Sequence, residues 1–413
     1  MSKYLKLFAT TAEYEEYING SDVVLANVSV AKDAPTTLYY SPWVEPPFFA
    51  KLTLNNGEVV ELEGSGQLTG TMISSYKSTL VSAEIGELCT SIGDGAFSGC
   101  SALTSITIPS SVTSIGSRAF YQCGRLTSID IPSSVTSISS EVFRSCSALT
   151  SITIPDGVTS IGNQAFGDCT GLTSIDIPSS VRSIDSRAFS YCTHLTSVTI
   201  PDSVTSISSE VFNSCKRLTS INIPNNVTSI GNNAFHNCEL LTSVTIGSGV
   251  TSIGYAAFSG CSALTSITIP DGVISIGDSA FTGCSALTSI TIPDGVISIG
   301  NTAFGYCSSL TSVTIGSGVT SIGNQAFYNC KLLTSVTIGS DVTSIGEKAF
   351  EECTGLISII SLAAKAPTIQ YTTFKNIKTG GTLTVPNGST GYDVWMGTGI
   401  YYLGKYGWTK VEQ

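Results

Sequence analysis

A chain of 413 residues with 42% apolar and only 12% charged side chains can bury a large core, and wets its surface with hydroxyls rather than with charge. A formal charge of −11 and a pI near 4.6 exclude broad contact with nucleic acid or anionic lipid, both of which need a basic face. No apolar run approaches the roughly 18–20 residues of a membrane-spanning helix, so no bilayer insertion is expected.

The opening residues, MSKYLKLFATTAEYEEYING, hold neither the apolar run nor the cleavage site of a secretory signal. Either the chain never uses that export route, or its leader has been trimmed away. TTAEYEEYI predicts a short helix entered at an N-cap Thr and stopped by Asn19-Gly20, and DVVLANVSV and TTLYY predict strands. KLTLNNGEVVELEG predicts a hairpin about Asn56-Gly57. The run Gly64–Gly70 reads as a linker after that hairpin rather than as a phosphate loop. Residues 1–79 are therefore expected to form a small α+β module.

From Leu80 a period takes over. Cysteines stand at 100, 123, 146 and every 23 residues to 353, with phenylalanines in step from Phe97 to Phe350. With Leu as position 0 the unit is L-T-S-I-T-I-P-x-x-V-T-S-I-G-x-x-A-F-x-x-C-x-x, and residues 262–284 and 285–307 share 19 of 23 positions. Ile106 and Ile108 alternate with Ser105 and Thr107 as in a half-buried strand, which Pro109 ends for want of an N–H. Val112 and Ile115 mark a second, shorter extended stretch, and Ala119-Phe120 with Cys123 fit one tight helical or 3₁₀ turn. A single unit buries too little apolar surface to offset the entropy of ordering it, so units must stack and pair in a parallel sheet. The fold expected over 80–355 is a right-handed coil of about twelve 23-residue repeats with short 3₁₀ or helical turns. Its first unit is degenerate, with Cys89 in place of the usual Val.

After Leu356 the pattern decays. TIQYTTF and GTLTVP echo the unit, and the aromatic tail GYDVWMGTGIYYLGKYGWTKVEQ is expected to cap the open end of the core, with Trp395 and Trp408 as lid packing. Residues 356–413 thus form a divergent repeat and cap.

The motif LTSITIP…VTSIG..AF..C resembles the BspA-like, or Treponema-type, leucine-rich repeat of bacterial surface proteins, over about two thirds of the chain. The resemblance implies a leucine-rich-repeat solenoid, curved with its main sheet on the concave side, and a role in adhesion to host proteins or other cells. LFATTAEYEEYINGSDVVLANVSV is similar to N-terminal modules of gut bacterial and phage-encoded proteins that lack signal peptides. That likeness implies an alternative in which residues 1–79 anchor a virion or appendage protein and the array is its spacer or receptor-binding arm.

Chemistry is sparse. A column of cysteines presents one sulfur per level, all pointing alike, so neither tetrahedral zinc nor a disulfide is expected; each thiol reads as a small buried hydrophobe. The two histidines, His194 and His236, fall in different columns, and no Ser–His–Asp spacing, P-loop or GxGxxG is present. No catalytic residue, metal or cofactor is expected. The Ser and Thr rows at positions 2 and 4 read as hydroxyl ladders running along the sheet, the alternative being a glycan- or water-ordering lattice that Asp130, Asp176 and Asn222 interrupt. Positions 14, 15, 18, 19, 21 and 22 vary freely and carry the bulky polar groups. Arg and Tyr dominate interface hot spots. The candidate partner-binding edge is therefore Arg118, Tyr121, Arg125, Arg144, Arg187, Tyr191, His194, Lys216 and Arg217, with Tyr255, Tyr306 and Tyr328 farther along. The expected partner is a host or cell-surface protein or a glycan. The competing reading is a solvated rim varied to keep near-identical coils from mispairing.

Overall fold

The structure is a computed structural model that describes residues 48–413. The expected helix at TTAEYEEYI and strands at DVVLANVSV and TTLYY lie outside the described residues. From there on the chain winds as a parallel β-solenoid of about 15 turns.

Each rung is a triangle. Its first side is a strand such as Ser105–Thr107 or Ser289–Ile292, with Ser and Thr outward and Ile inward. Partners are the equivalent residues of the next rung, as in Ser289↔Ser312 and Ile290↔Val313. Among the described residues these strands form a main sheet hydrogen-bonded in four stretches, the longest from Ser289–Ile292 to Thr409–Glu412. The regular register follows from the period: a slip of one residue would turn every Ile to water. Pro at position 6 closes the strand, its carbonyl accepting the N–H of the Val three residues on, at 3.1 Å for Pro109 and Val112. The second side is a two-residue strand, Ser114–Ile115 and its equivalents, in a second parallel sheet that runs from Ser229–Ile230 to Thr368–Ile369 without a break.

The third side departs from the helical or 3₁₀ turn expected of Ala119-Phe120 and Cys123. It is two successive β-turns, closed by Ala119 N–H to Gly116 O and Cys123 N–H to Phe120 O, with left-handed residues at Arg118 (φ 56°) and Gln122 (φ 60°). The same pair of left-handed positions recurs in rung after rung, mostly without glycine, as at Arg187, Tyr191 and Tyr306. A left-handed non-glycine residue costs energy, and the stack supplies the compensation. The N–H groups of Arg118, Phe120 and Gln122 donate to Ser140, Val142 and Arg144 carbonyls of the next rung at 2.9–3.0 Å. A helix would turn those donors along its own axis and leave the neighbouring rung unpaired.

Inside, Leu, Val, Ala, Phe and Cys form unbroken buried columns. Successive Phe rings from Phe97 to Phe350 lie parallel with centroids 5.2–5.6 Å apart. The hairpin forms as expected, Ala50–Leu54 against Val59–Leu62 about Gly57 at φ 84°. The Ala50–Leu54 strand also pairs antiparallel with Leu80–Ile85, which closes the first rung of the main sheet. Part of the run read as a linker is strand: Gly66–Leu68 pairs in parallel with Cys89–Ile92, because Leu68 fills the same inward column as Ile92.

At the far end Phe374 stacks on Phe350 at 5.8 Å and Trp395 leans on Phe374 at 5.3 Å. The Trp395 and Trp408 indoles donate to Pro367 O and Lys378 O at 3.0 and 2.8 Å, so each buries its ring and satisfies its N–H. The tryptophans are lid packing, as read. The main sheet ends on Thr409–Glu412, paired in parallel with Thr382–Val385. No helix among the described residues is long and apolar enough to cross a membrane.

Candidate functional site

The variable positions fall on the turn face and on the corner where it enters the main sheet. The nine candidate residues divide there into two groups. On the turn face the guanidinium of Arg118 donates through Nε and Nη2 to Glu141 Oε1, at 3.0 and 2.6 Å. Arg144 reaches Glu141, Asp168 and Gln164, all at 3.1 Å, and lies 5.9 Å from the Tyr121 ring. Arg187 grips Glu210 with two hydrogen bonds of 2.9 and 2.7 Å, and Lys216 pairs with Glu239 at 2.8 Å. Hydrogen bonds from Arg118, joined by Arg144, hold the Glu141 carboxyl below its ordinary value against its burial; Arg187 does the same for Glu210. These pairs join successive rungs, Arg118 to Glu141 and Arg187 to Glu210 within position 15 and Lys216 to Glu239 within position 21. Adding 23 to the numbers of Arg118, Arg187 and Lys216 finds Glu141, Glu210 and Glu239, whereas Arg144 meets acids three residues back and 24 residues on. Between the Arg144 and Arg187 clusters lies a shallow crevice floored by Gly167 and Ser190 and walled on one side by Tyr191, which is half exposed.

The second group sits at position 22, one residue before the buried Leu that opens the main-sheet strand. Arg125 and Arg217 are exposed there, and neither forms an ion pair among the described residues. His194 shares the column and is pinned by its Nδ1, 2.7 Å from Thr170 O. On the sheet beside them Asp130 and Asp176 are exposed and bridge backbone to backbone with Thr153 between them. The structure thus brings Arg125, His194 and Arg217 into one column bordering the sheet, and sets Arg118, Arg144 and Arg187 apart from it on the turn face.

The hydroxyl rows differ from expectation. The serines and threonines at positions 2 and 4 make no side-chain hydrogen bond among the described residues and point to solvent. Equivalent side chains on in-register strands stand ~4.8 Å apart, beyond hydrogen-bond reach of one another. The ladders are built instead by threonines at positions 1 and 10, whose Oγ1 donates to the equivalent carbonyl one rung back, as from Thr311 to Thr288 O at 2.9 Å and Thr251 to Thr228 O at 3.1 Å.

The cysteine column is occupied in another way. Each Sγ from Cys123 to Cys353 donates to the Phe carbonyl of the preceding rung, as from Cys192 to Phe166 O and Cys353 to Phe327 O, both at 3.1 Å. Phe166 O already accepts the Cys169 N–H, so the Cys192 thiol takes its second lone pair. Burial pushes the thiols up, Cys100 to about 11 and Cys169 to about 12. All thirteen are free and buried, the opposite of a reactive thiolate environment. No group of three or more His, Cys, Asp or Glu among the described residues is arranged to hold a metal ion.

This period matches the description "BspA type Leucine rich repeat region (6 copies)" in overlapping blocks over residues 74–195, 136–265, 182–305 and 252–380. The chain belongs to the BspA-type leucine-rich repeat family. Among solved structures, a leucine-rich repeat protein from Bacteroides ovatus is 28% identical, with a TM-score of 0.65, covering 89% of this chain and 99% of that one. A leucine-rich cell surface protein from Faecalibacterium prausnitzii is 30% identical over 83% of this chain and 96% of its own, with a TM-score of 0.47. The pneumococcal vaccine antigen PcpA shares the fold at 19% identity and a TM-score of 0.51, over 76% of this chain and 82% of its own. No match is found among the curated proteins. Leucine-rich repeat proteins of this kind are typically surface proteins that bind other proteins and are generally not enzymes.

Proposed function

We propose that this BspA-type protein is a non-enzymatic adhesion module that engages a host or cell-surface protein along the border of its main sheet, centred on Arg125, His194 and Arg217. One observation carries the reading: the cations of the array divide into those already matched and those left open. Arg118, Arg144, Arg187 and Lys216 spend their hydrogen bonds on neighbouring rungs, so a partner would have to displace acids to use them. Among the described residues Arg125 and Arg217 have no such competitor, and the exposed Asp130 and Asp176 on the same sheet add acceptors of opposite sign. Charges of both signs held on a rigid sheet give a partner orientation as well as attraction.

The test is an array of matrix proteins and cell-surface glycans probed with the full chain, followed by the double variant Arg125→Ala/Arg217→Ala. A protein ligand whose affinity falls about tenfold or more, with melting unchanged, is the expected result. The control Arg118→Ala/Arg187→Ala should bind as the parent does. Equal losses in both variants, or no protein ligand at all, would reject the border as the site.

A further inference from the structure

Beyond the cationic rungs the turn face changes character. Tyr306 and Tyr328, on successive rungs, meet edge to face with centroids 5.3 Å apart, and Tyr306 is 48% exposed. Farther along, Tyr371, 60% exposed, lies 5.6 Å from Tyr401. Lys375 lies beside the second pair: its Nζ is 2.6 Å from Glu351 Oε1 and 5.6 Å from the Tyr401 ring centre. Asn376 donates to Glu352 at 2.7 Å beside it. The whole strip spans about four rung steps, roughly 20 Å at ~4.8 Å each.

One feature of this strip is unusual for the array. Glu351 is buried to 4% exposure, and its Oε2 has no hydrogen-bond partner among the described residues. A buried carboxylate oxygen without a donor is costly and persists only where something else supplies a reason for it. Burial, then the Tyr306 phenol and the Glu351 and Glu352 carboxylates, push the Tyr328 phenol up, which places these groups in one another's field.

We propose that this strip, Tyr306, Tyr328, Tyr371 and Tyr401 with Glu351 and Lys375, binds a neutral oligosaccharide. A sugar chain presents apolar C–H faces edged by hydroxyls. The strip offers ring faces alternating with polar side chains, Lys375 beside the Tyr401 ring and the paired Glu352 and Asn376 at its flank. Single-stranded nucleic acid also stacks on aromatic rings, but it needs a basic groove, whereas two carboxylates here face a lysine already paired with one of them. A protein hot spot would gather its rings into a desolvated pocket, whereas these stand on an open face with polar groups between them.

The experiment is calorimetric titration of the full chain with malto-, cello- and manno-oligosaccharides, from disaccharide to hexasaccharide. At least one series should bind, tighten with chain length and keep its affinity at high salt. Tyr306→Ala/Tyr328→Ala and, separately, Tyr371→Ala should each weaken binding about tenfold, the size of one lost ring stack, with melting unchanged. Tyr306→Phe, which keeps the ring, should stay near the parent. Arg125→Ala/Arg217→Ala should leave sugar binding intact, so this strip and the sheet border stand or fall independently. Failure of every series to bind, affinity indifferent to the tyrosines, or a strip that captures only a protein would overturn the proposal.

Discussion

Raising the pH is the sharpest perturbation this architecture invites. Burial holds Cys146, Cys192, Cys238, Cys261, Cys284, Cys307 and Cys353 well above the ordinary thiol value of 9.0. Folded, these groups keep their protons; unfolded, they ionise at the ordinary value. Their contribution is therefore intact below about pH 9 and lost progressively above it, because there the unfolded chain binds fewer protons than the folded one. Each such group removes about 1.4 kcal/mol of stability per pH unit, so these seven together remove about 10. A whole domain is stable by only about 5–15 kcal/mol, so the column alone can abolish the fold within one to two units. Urea midpoints measured under reducing conditions should be level to about pH 8.5 and then fall steeply, before tyrosine and lysine titrate in earnest. The triple variant Cys238→Ser/Cys261→Ser/Cys284→Ser keeps a donor for the Phe212, Phe235 and Phe258 carbonyls and should flatten the slope by about 4 kcal/mol per unit. A midpoint that stays level to about pH 10, or a slope the serines do not change, would refute the argument.

Two further outcomes test the stack itself. Phe235 is fully buried between Phe212 and Phe258, at 5.5 and 5.2 Å, whereas Phe97 touches only Phe120 in the ring column. Either residue changed to Ala loses about 3–5 kcal/mol of packing, and Phe235→Ala loses one more ring stack, about 1 kcal/mol, so its urea midpoint should be the lower. Equal midpoints would mean that the rings do not couple. Removing residues 408–413 takes away Trp408 and the last strand and bares the edge of Thr382–Val385, whose Leu383 and Val385 are now covered. The intact strand places Lys410 and Glu412 opposite those two, a charged pair 3.2 Å apart on the core-facing side. Such inward charges discourage edge-to-edge pairing, so light scattering should show the truncated chain associating at concentrations where the parent is monodisperse.

Much of the fold could be read from the chain because a solenoid repeats in space what it repeats in sequence. Phe97 to Phe350 and Cys100 to Cys353 advance by one interval, and so do the columns they build. The left-handed turns were hidden. Nothing in Arg118 or Gln122 as residues asks for a positive φ; the demand comes from carbonyls of the next rung, which only the stack brings near. Pairing of the cations lay within reach of simple arithmetic, since Arg118 with Glu141 and Arg187 with Glu210 are single-period neighbours. The tyrosine strip did not: Phe374 follows Phe350 by 24 residues, and Tyr401 belongs to the cap, so no fixed interval joins them to Tyr306 and Tyr328. For the hydroxyl rows, residue type was legible and direction was not, because the threonines at positions 1 and 10 turn back toward a carbonyl while the rows at positions 2 and 4 face solvent.

The twin rungs 262–284 and 285–307 follow the cationic units, the second of them already carrying Tyr306, and in the second sheet Ile253, Ile276 and Ile299 succeed one another in the same register. A gene that gains or sheds one such copy therefore slides the far half of the molecule along the axis by a fixed tooth of ~4.8 Å, leaving both flanks chemically untouched. Such a chain behaves like an extensible ruler, on which selection can tune reach separately from grip.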